Sequence, residues 1–193
     1  MMVKSSGNLV RLQTENFIVR SVTPSDVTDH YMSWVKDPEL PHLLGLNVPK
    51  NPTKDQFRKY VTGFDNQSSF HLLITTKDDV EVGYYWVHTE PANKTALSHV
   101  MISNRDYWGK AAVLETRAAL LDYLFFSLGM DKVLGRPLAR NFSAIFNYKA
   151  QGFTMEGILR EQILELDGSR ADQIYFGLLR AEWLETKKKA STA

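Results

Sequence analysis

The sequence predicts an α/β (α+β) fold built on a mixed, mostly antiparallel central sheet with helices on both faces. Three observations lead there. Short runs rich in β-branched and aromatic residues, such as Ser69 to Thr76 and Val80 to His88, follow one another across turn signals, as in a meander. From Ala112 the apolar period changes to steps of four and three, the spacing of a helix face. Beyond that helix, strand and helix signals alternate before a closing hairpin. A chain of 193 residues that is 44% hydrophobic suffices for one sizeable core, so a single domain over residues 1–193 is expected.

Asn16 to Val22 alternates Phe17 and Val19 with polar partners and reads as the opening strand. Thr23-Pro24-Ser25-Asp26 is a helix start with proline in the first turn, and the helix is expected to run on through Tyr31 and Trp34 to Lys36. Pro38, Pro41, Pro49 and Pro52 make Asp37 to Thr53 a looping connection, followed by a polar helix from Lys54 to Phe64. Ser69 to Thr76, Val80 to His88 and Ala96 to Ser103 form three strands, separated by Lys77-Asp78-Asp79 and by the Pro91-Ala92-Asn93 turn. Leu114, Ala118, Leu121, Phe125 and Leu128 make one helix face that Gly129 caps. Lys132 to Leu138 reads as a strand and Ser143 to Gln151 as a helix ended by Gly152. Arg160 to Leu166 and Arg170 to Leu179 read as a hairpin around Asp167-Gly168. Residues 1–10 and 185–193 are expected to fray.

Composition excludes several classes of function. With 23 basic and 22 acidic residues the formal charge is only +1, which offers no broad field for nucleic acid or an anionic membrane. The chain has no cysteine, which removes disulfides, thiolate metal sites and a sulfur nucleophile together. No stretch resembles a signal peptide or a membrane span, so a soluble cytoplasmic protein is expected. No His/Asp/Glu cluster has metal-ligand spacing and no G-x-S-x-G turn occurs.

Asn104-Arg105-Asp106-Tyr107-Trp108-Gly109-Lys110-Ala111-Ala112-Val113 is a tight basic connection feeding a helix amino terminus. There, unpaired backbone N–H groups and the positive end of the helix dipole converge on one spot, which suits a diphosphate. Tyr107-Trp108-Gly109-Lys110, then Glu115, then Ala119 to Phe125 with Leu128-Gly129, resembles the acyl-CoA pyrophosphate segment of GNAT acyltransferases. The similarity is greatest to the branch of ribosomal-protein alanine and serine N-acetyltransferases. Asn141, Ala144, Tyr148 and Gly152-Phe153, spaced N-x-x-A-x-x-x-Y-x-x-x-G-F, look like the family's second coenzyme segment, and Gly157 to Glu161 through Tyr175 to Leu179 with Glu182-Trp183 is similar to its closing hairpin. The resemblance covers roughly Val80 to Trp183.

The family's turn reads Q/R-x-x-G-x-G/A. The chain departs from it: in one register Trp108 takes the first place, Ala111 the central glycine and Val113 the last small residue, and a shifted register starting at Asp106 matches Gly109 and Ala111. If the central position needs positive φ, an alanine costs on the order of 1 kcal/mol.

The resemblance implies a GNAT fold that uses acetyl-CoA as acyl donor and transfers the acetyl group to a primary amine by direct attack in a ternary complex. It implies a coenzyme site of Met101, Ile102, Ser103, Trp108, Gly109, Lys110, Ala111, Ala112, Val113, Asn141 and Ala144. Tyr148 takes the catalytic role: direct transfer releases a coenzyme thiolate, and a phenol near pKa 10 is a suitable proton source for it. For the proton of the attacking amine, His99, Ser98 through water, His71, His88, Asp172 and a water chain all stand as candidates. The implied partners are acyl-CoA and an amine acceptor, either a peptide amino terminus or a small amine or amino sugar. Acceptor walls are expected from the Asp37 to Thr53 loop and the closing hairpin, with Trp34, Asp37, Glu39, Glu161, Glu165 and Asp172 around a cationic amine. A homodimer stays open. The rival reading is a GNAT-fold ligand- or partner-binding protein whose hold on coenzyme Ala111 and Val113 have weakened.

Overall fold

The computed structural model describes residues 9–37, 52–165 and 167–192. Among them one eight-stranded sheet contains β1 (Arg11–Gln13), β2 (Phe17–Ser21), β3 (Ser69–Thr76), β4 (Glu81–Glu90), β5 (Thr95–Ile102), β6 (Lys132–Gly135), β7 (Thr154–Leu164) and β8 (Arg170–Leu179). Their spatial order is β1-β2-β3-β4-β5-β6-β8-β7. Every neighbouring pair is antiparallel except β5 and β6. The helices are α1 (Asp29–Val35), α2 (Lys54–Val61), α3 (Ala112–Asp122), α4 (Phe142–Ala150) and α5 (Arg180–Thr192).

Because strand side chains alternate between faces, the sheet carries two cores. On one face Phe70, Leu72, Tyr85 and Val87 pack with Leu120 and Leu121 of α3, Phe125 of the π-helical turn Tyr123–Ser127 that continues it, Tyr148 of α4 and Trp183 of α5. On the other, Leu73, Tyr84, Trp86 and Met101 pack with Tyr31, Trp34, Phe57 and Val61 of α1 and α2. Helices thus cover both faces of a mixed, mostly antiparallel sheet, as the sequence predicts.

Local differences have identifiable causes. The helix expected from Thr23 to Lys36 is split, because Asp26 receives a two-pronged ion pair from Arg20 (2.9 and 2.7 Å) and the Thr23 N–H (2.7 Å), which closes a 3₁₀ turn over Pro24–Asp26. Thr28 then caps α1 by accepting the Tyr31 N–H. The strand expected over Lys132 to Leu138 ends at Gly135, leaving Leu138 with a single bridge to Gln173. Strand β7 begins at Thr154, earlier than the hairpin signal indicated.

Helix α5 extends into the tail expected to fray from residue 185, running through Thr192, and Asp122 on α3 accepts Trp183 Nε1 (2.8 Å) and pairs with Lys187 (2.6 Å). At the other end Val10, expected to fray, is buried and gives its N–H to Ser21 Oγ (2.9 Å). Residues 38–51, which make up most of the expected acceptor loop including Glu39, lie outside the described residues.

Candidate active site

The parallel pair β5–β6 is short. Thr95, Ala96 and Leu97 align with Lys132, Val133 and Leu134, after which β5 runs on to Ile102 while the chain beyond β6 follows β8 through the bond from the Ile174 N–H to Pro137 O. The strands therefore diverge as a fork with one open backbone edge. Tyr148 Oη reaches Ser98 O and Trp108 Nε1 donates to Ile102 O (2.8 Å), so alternation turns the backbone groups of Ser98, Val100 and Ile102 to that edge. The Ser103 N–H, by contrast, is bonded to Val82 O, and the Met101 side chain is buried on the α1–α2 face. Of Met101, Ile102 and Ser103, predicted to follow the coenzyme arm, only Ile102 turns its backbone to the fork.

Tyr148 occupies the fork's vertex. Asn141 starts α4 as its cap, Oδ1 accepting the Ala144 N–H (3.0 Å), and Tyr148 lies two turns along on the buried side. Its ring stacks on Phe176 at 5.2 Å and 13° and meets Phe153 edge-on at 5.0 Å. The hydroxyl donates to Ser98 O at 3.4 Å, a long bond that leaves the proton weakly held. Burial pushes the phenol's pKa above its usual 10, opposed by the charge of Arg117. Gly135 makes the placement feasible: a Cβ there would lie less than 3.0 Å from the phenol's Cζ and hydroxyl oxygen. The sequence reading passed over Gly135, although an isolated glycine inside a strand run signals close approach of another group. It also missed Arg117, for which sequence gave no signal. Its guanidinium is buried 4.3 Å from the Tyr148 ring centroid.

At the fork's mouth Asn104 caps the short turn Arg105–Tyr107, Trp108 follows in extended conformation, and Gly109 has φ +71° with open space where a side chain would go. Ala111, the residue before α3, has φ −64°, so the conformational penalty expected for an alanine there does not arise. The turn's positive φ falls on Gly109 instead. Lys110 lies over the Tyr107 ring (5.3 Å), and the Ala112 side chain is buried under the turn. Among the described residues the N–H groups of Gly109, Ala111, Val113 and Leu114 have no acceptor, leaving a cradle of donors at a helix start. Glu115 holds this end in place by accepting Thr14 Oγ1 (2.5 Å) and the Asn16 N–H (2.7 Å) of the β1–β2 turn.

The structure separates the candidate bases. His71 is wholly buried, bonded through Nε2 to the Tyr31 hydroxyl (2.9 Å), with its pKa pushed down to about 3 by burial. His99 lies opposite Trp86 on β5, hence on the α1–α2 face one residue past the vertex, and burial next to Arg136 pushes it down to about 4. It is neutral near pH 7. The Ser98 side chain is buried, Asp172 is bonded to the Glu161 N–H (2.8 Å), and His88 stands toward the far end of β4. Of the expected acidic acceptor wall, Trp34 is core, packed edge-on to Tyr84, and Glu165 is paired with Arg140 (3.0 Å).

Comparison with known proteins places this geometry. The chain is 24% identical over 169 residues to an uncharacterized N-acetyltransferase, YokL, of the SPbeta prophage in Bacillus subtilis, covering 88% of this chain and 93% of that protein. Its fold matches spermidine N-acetyltransferase from Vibrio cholerae, solved with CoA and spermine (TM-score 0.78, 16% identity, 87% of this chain and 98% of that one). It likewise matches ribosomal-protein-S5-alanine acetyltransferase from Vibrio fischeri (TM-score 0.75, 17% identity, 90% and 98%). The acetyltransferase (GNAT) domain model matches residues 16–154, a span that contains the fork, the donor cradle and Tyr148, and the chain therefore belongs to the GNAT family of acyl-CoA-dependent N-acetyltransferases.

Proposed function

We propose that the protein binds acetyl-CoA with its diphosphate on the N–H cradle of Gly109, Ala111, Val113 and Leu114, and passes the acetyl group to a primary amine by direct attack in a ternary complex. The carrying observation is the continuous path from that cradle, along the open edge of β5 at Ile102 and Val100, to the phenol of Tyr148 at the vertex. Trp108 and Lys110 form the outer wall of the diphosphate site, and the Trp108 indole leaves Ile102 O when the pantetheine arm takes that edge. Asn141, whose Oδ1 caps α4, offers its amide N–H₂ to the arm beside Ala144. Ser98 and Val100 N–H groups polarise the thioester carbonyl as its oxygen gains charge.

In the transfer step the amine nitrogen bonds to the thioester carbon, the C–S bond breaks, and Tyr148 gives its proton to the sulfur. The attacking amine approaches from the α1–α2 face, where neutral His99 takes its proton directly or through water. The acceptor is a peptide amino terminus or a small amine or amino sugar. The α1–α2 face is aromatic, which supports a niche for such a group more than the acidic wall does. The normal φ of Ala111 weakens the rival reading of a protein that has lost its hold on coenzyme.

Two measurements test this. Sub-millimolar coenzyme A is expected to raise the melting temperature. A thiol-release screen of peptides beginning with Ser or Ala, polyamines and nucleotide-linked amino sugars is expected to find an acceptor. Coenzyme stabilisation without thiol release for any amine class would return the protein to the ligand-binding reading, and no stabilisation would reject the site.

A further inference from the structure

Arg117 is a rare kind of residue: an arginine 1% exposed, inside the α3–α4 layer, with no carboxylate within ion-pair distance among the described residues. One nitrogen donates to Gln151 Oε1 (3.1 Å), Nε is buried with no partner, and the guanidinium carbon lies 4.3 Å from the Tyr148 ring centroid. An uncompensated buried cation is costly, and an apolar chain of similar length would fill the same space without that cost. Neither neutral hydrogen bonds, to Gln151 and to the Tyr85 hydroxyl, nor packing on a ring requires a charge here.

The charge has a use if the phenol beside it ionises. We propose that Arg117 is a positioning residue for Tyr148, holding its ring at the fork and stabilising the phenolate formed when Tyr148 passes its proton to the coenzyme thiolate. This rests on the reading of Tyr148 as proton donor. In the step the Tyr148 O–H bond breaks, an S–H bond forms on coenzyme A, the electron pair stays on the phenolate, whose ring lies under the Arg117 guanidinium, and solvent later restores the proton. Thiols titrate near 8.5 and free phenols near 10, so a phenol pushed further up by burial is a poor donor to a thiolate unless a cation offsets the shift. The charged or titratable groups facing Tyr148 are Arg117 from α3 and Tyr85 from β4, whose hydroxyl is tied to Thr116 Oγ1 (2.9 Å) and also bonds Arg117. Strands β5, β6 and β8 present the Ser98 carbonyl, Gly135 and Phe176.

The test needs no acceptor for its first readout. Tyrosine labelled at Cζ is titrated by NMR in the wild type, Arg117→Met, Arg117→Lys and Gln151→Glu, with Tyr148→Phe assigning the signal. Arg117→Met is expected to raise the Tyr148 midpoint by about 1–3 pKa units, and Arg117→Lys to restore most of it. Gln151→Glu, which sets a carboxylate against the guanidinium and offsets its charge, is expected to raise it too and serves if Arg117→Met does not fold. In turnover, Arg117→Met should lose about 10- to 100-fold in kcat with coenzyme Kd unchanged, and lose little in a Tyr148→Phe background. An unmoved midpoint in both neutralising variants overturns the proposal, as does a wild-type midpoint above the pH at which the fold survives. If Tyr148→Phe turns over like wild type, it is the donor reading that falls.

Discussion

Replacing Gly135 with alanine tests the placement of Tyr148 without touching any group of Tyr148 itself. A Cβ on Gly135 would stand less than 3.0 Å from Cζ, Cε1 and the hydroxyl oxygen of the phenol, where ordinary carbon contacts need about 3.5–4.0 Å. The ring must therefore retreat by roughly 1 Å. Around it stand Phe176 stacked at 5.2 Å, Phe153 at 5.0 Å and the Arg117 guanidinium at 4.3 Å, so the ring moves within a filled core. Overpacking of this kind costs about 1–3 kcal/mol. The hydroxyl is already 3.4 Å from Ser98 O, and a further displacement breaks that bond and moves the proton donor off the vertex. A misplacement of about 1 Å costs on the order of 100-fold in rate. We expect Gly135→Ala to lower urea stability by about 1–3 kcal/mol and kcat by about 100-fold, with coenzyme Kd within about threefold. The stability loss should largely vanish in a Tyr148→Leu background. Wild-type turnover and an unshifted urea midpoint for Gly135→Ala would refute the wedged phenol.

Tyr148→Phe is expected to lower turnover by roughly ten- to a thousandfold and leave coenzyme affinity nearly unchanged in a titration; unchanged turnover would make Tyr148 a core residue only. Gly109→Ala, at φ +71°, should cost about 1 kcal/mol of stability and weaken coenzyme binding, whereas Ala111→Gly should leave affinity the same or better; a large loss for the second would reject the cradle's register. His71 and His99, held down to about 3 and about 4 against an ordinary 6.5, bind fewer protons folded than unfolded, so stability should fall as pH drops below about 6.5. The two sites together give a slope of up to about 2.7 kcal/mol per pH unit, with Glu81, pushed up by burial, acting in the opposite sense lower in the range. Urea midpoints at pH 7.5 and 5 check this; equal values would show that neither ring is held neutral.

The readable part of the site was its local part. The turn at Gly109, the α4 cap at Asn141 and the glycines after α3 and α4 follow from side-chain chemistry within a few residues, and the structure has them at those places. The Gly109 turn also shows the limit of spacing: two registers could be laid on the motif, and only the backbone angles set the positive φ on Gly109 with Ala111 relaxed. Helix α4 starts at Phe142, one residue before the predicted Ser143, because Asn141 caps it by accepting the Ala144 N–H. In the acidic acceptor wall, spacing could not show the partners that two of its carboxylates take from other parts of the chain: Arg140 for Glu165 and the Glu161 N–H for Asp172.

By itself, then, the sequence determined the element order, the two-faced helical cover, the donor cradle and the helix that carries Tyr148, because hydrophobic period, turn residues and caps act over a few positions. It could not say where β5 and β6 part, which edge groups of β5 stay open, or why position 135 is glycine. Those depend on contacts such as Tyr148 to Ser98, 50 residues apart, formed only when helix and strands pack. The same holds for Arg117, which reads as an ordinary helix cation until α3 docks on the sheet and leaves it 1% exposed against a phenol ring. Burial and alignment of groups distant in sequence are set by packing, and it is packing that turns these residues into a site.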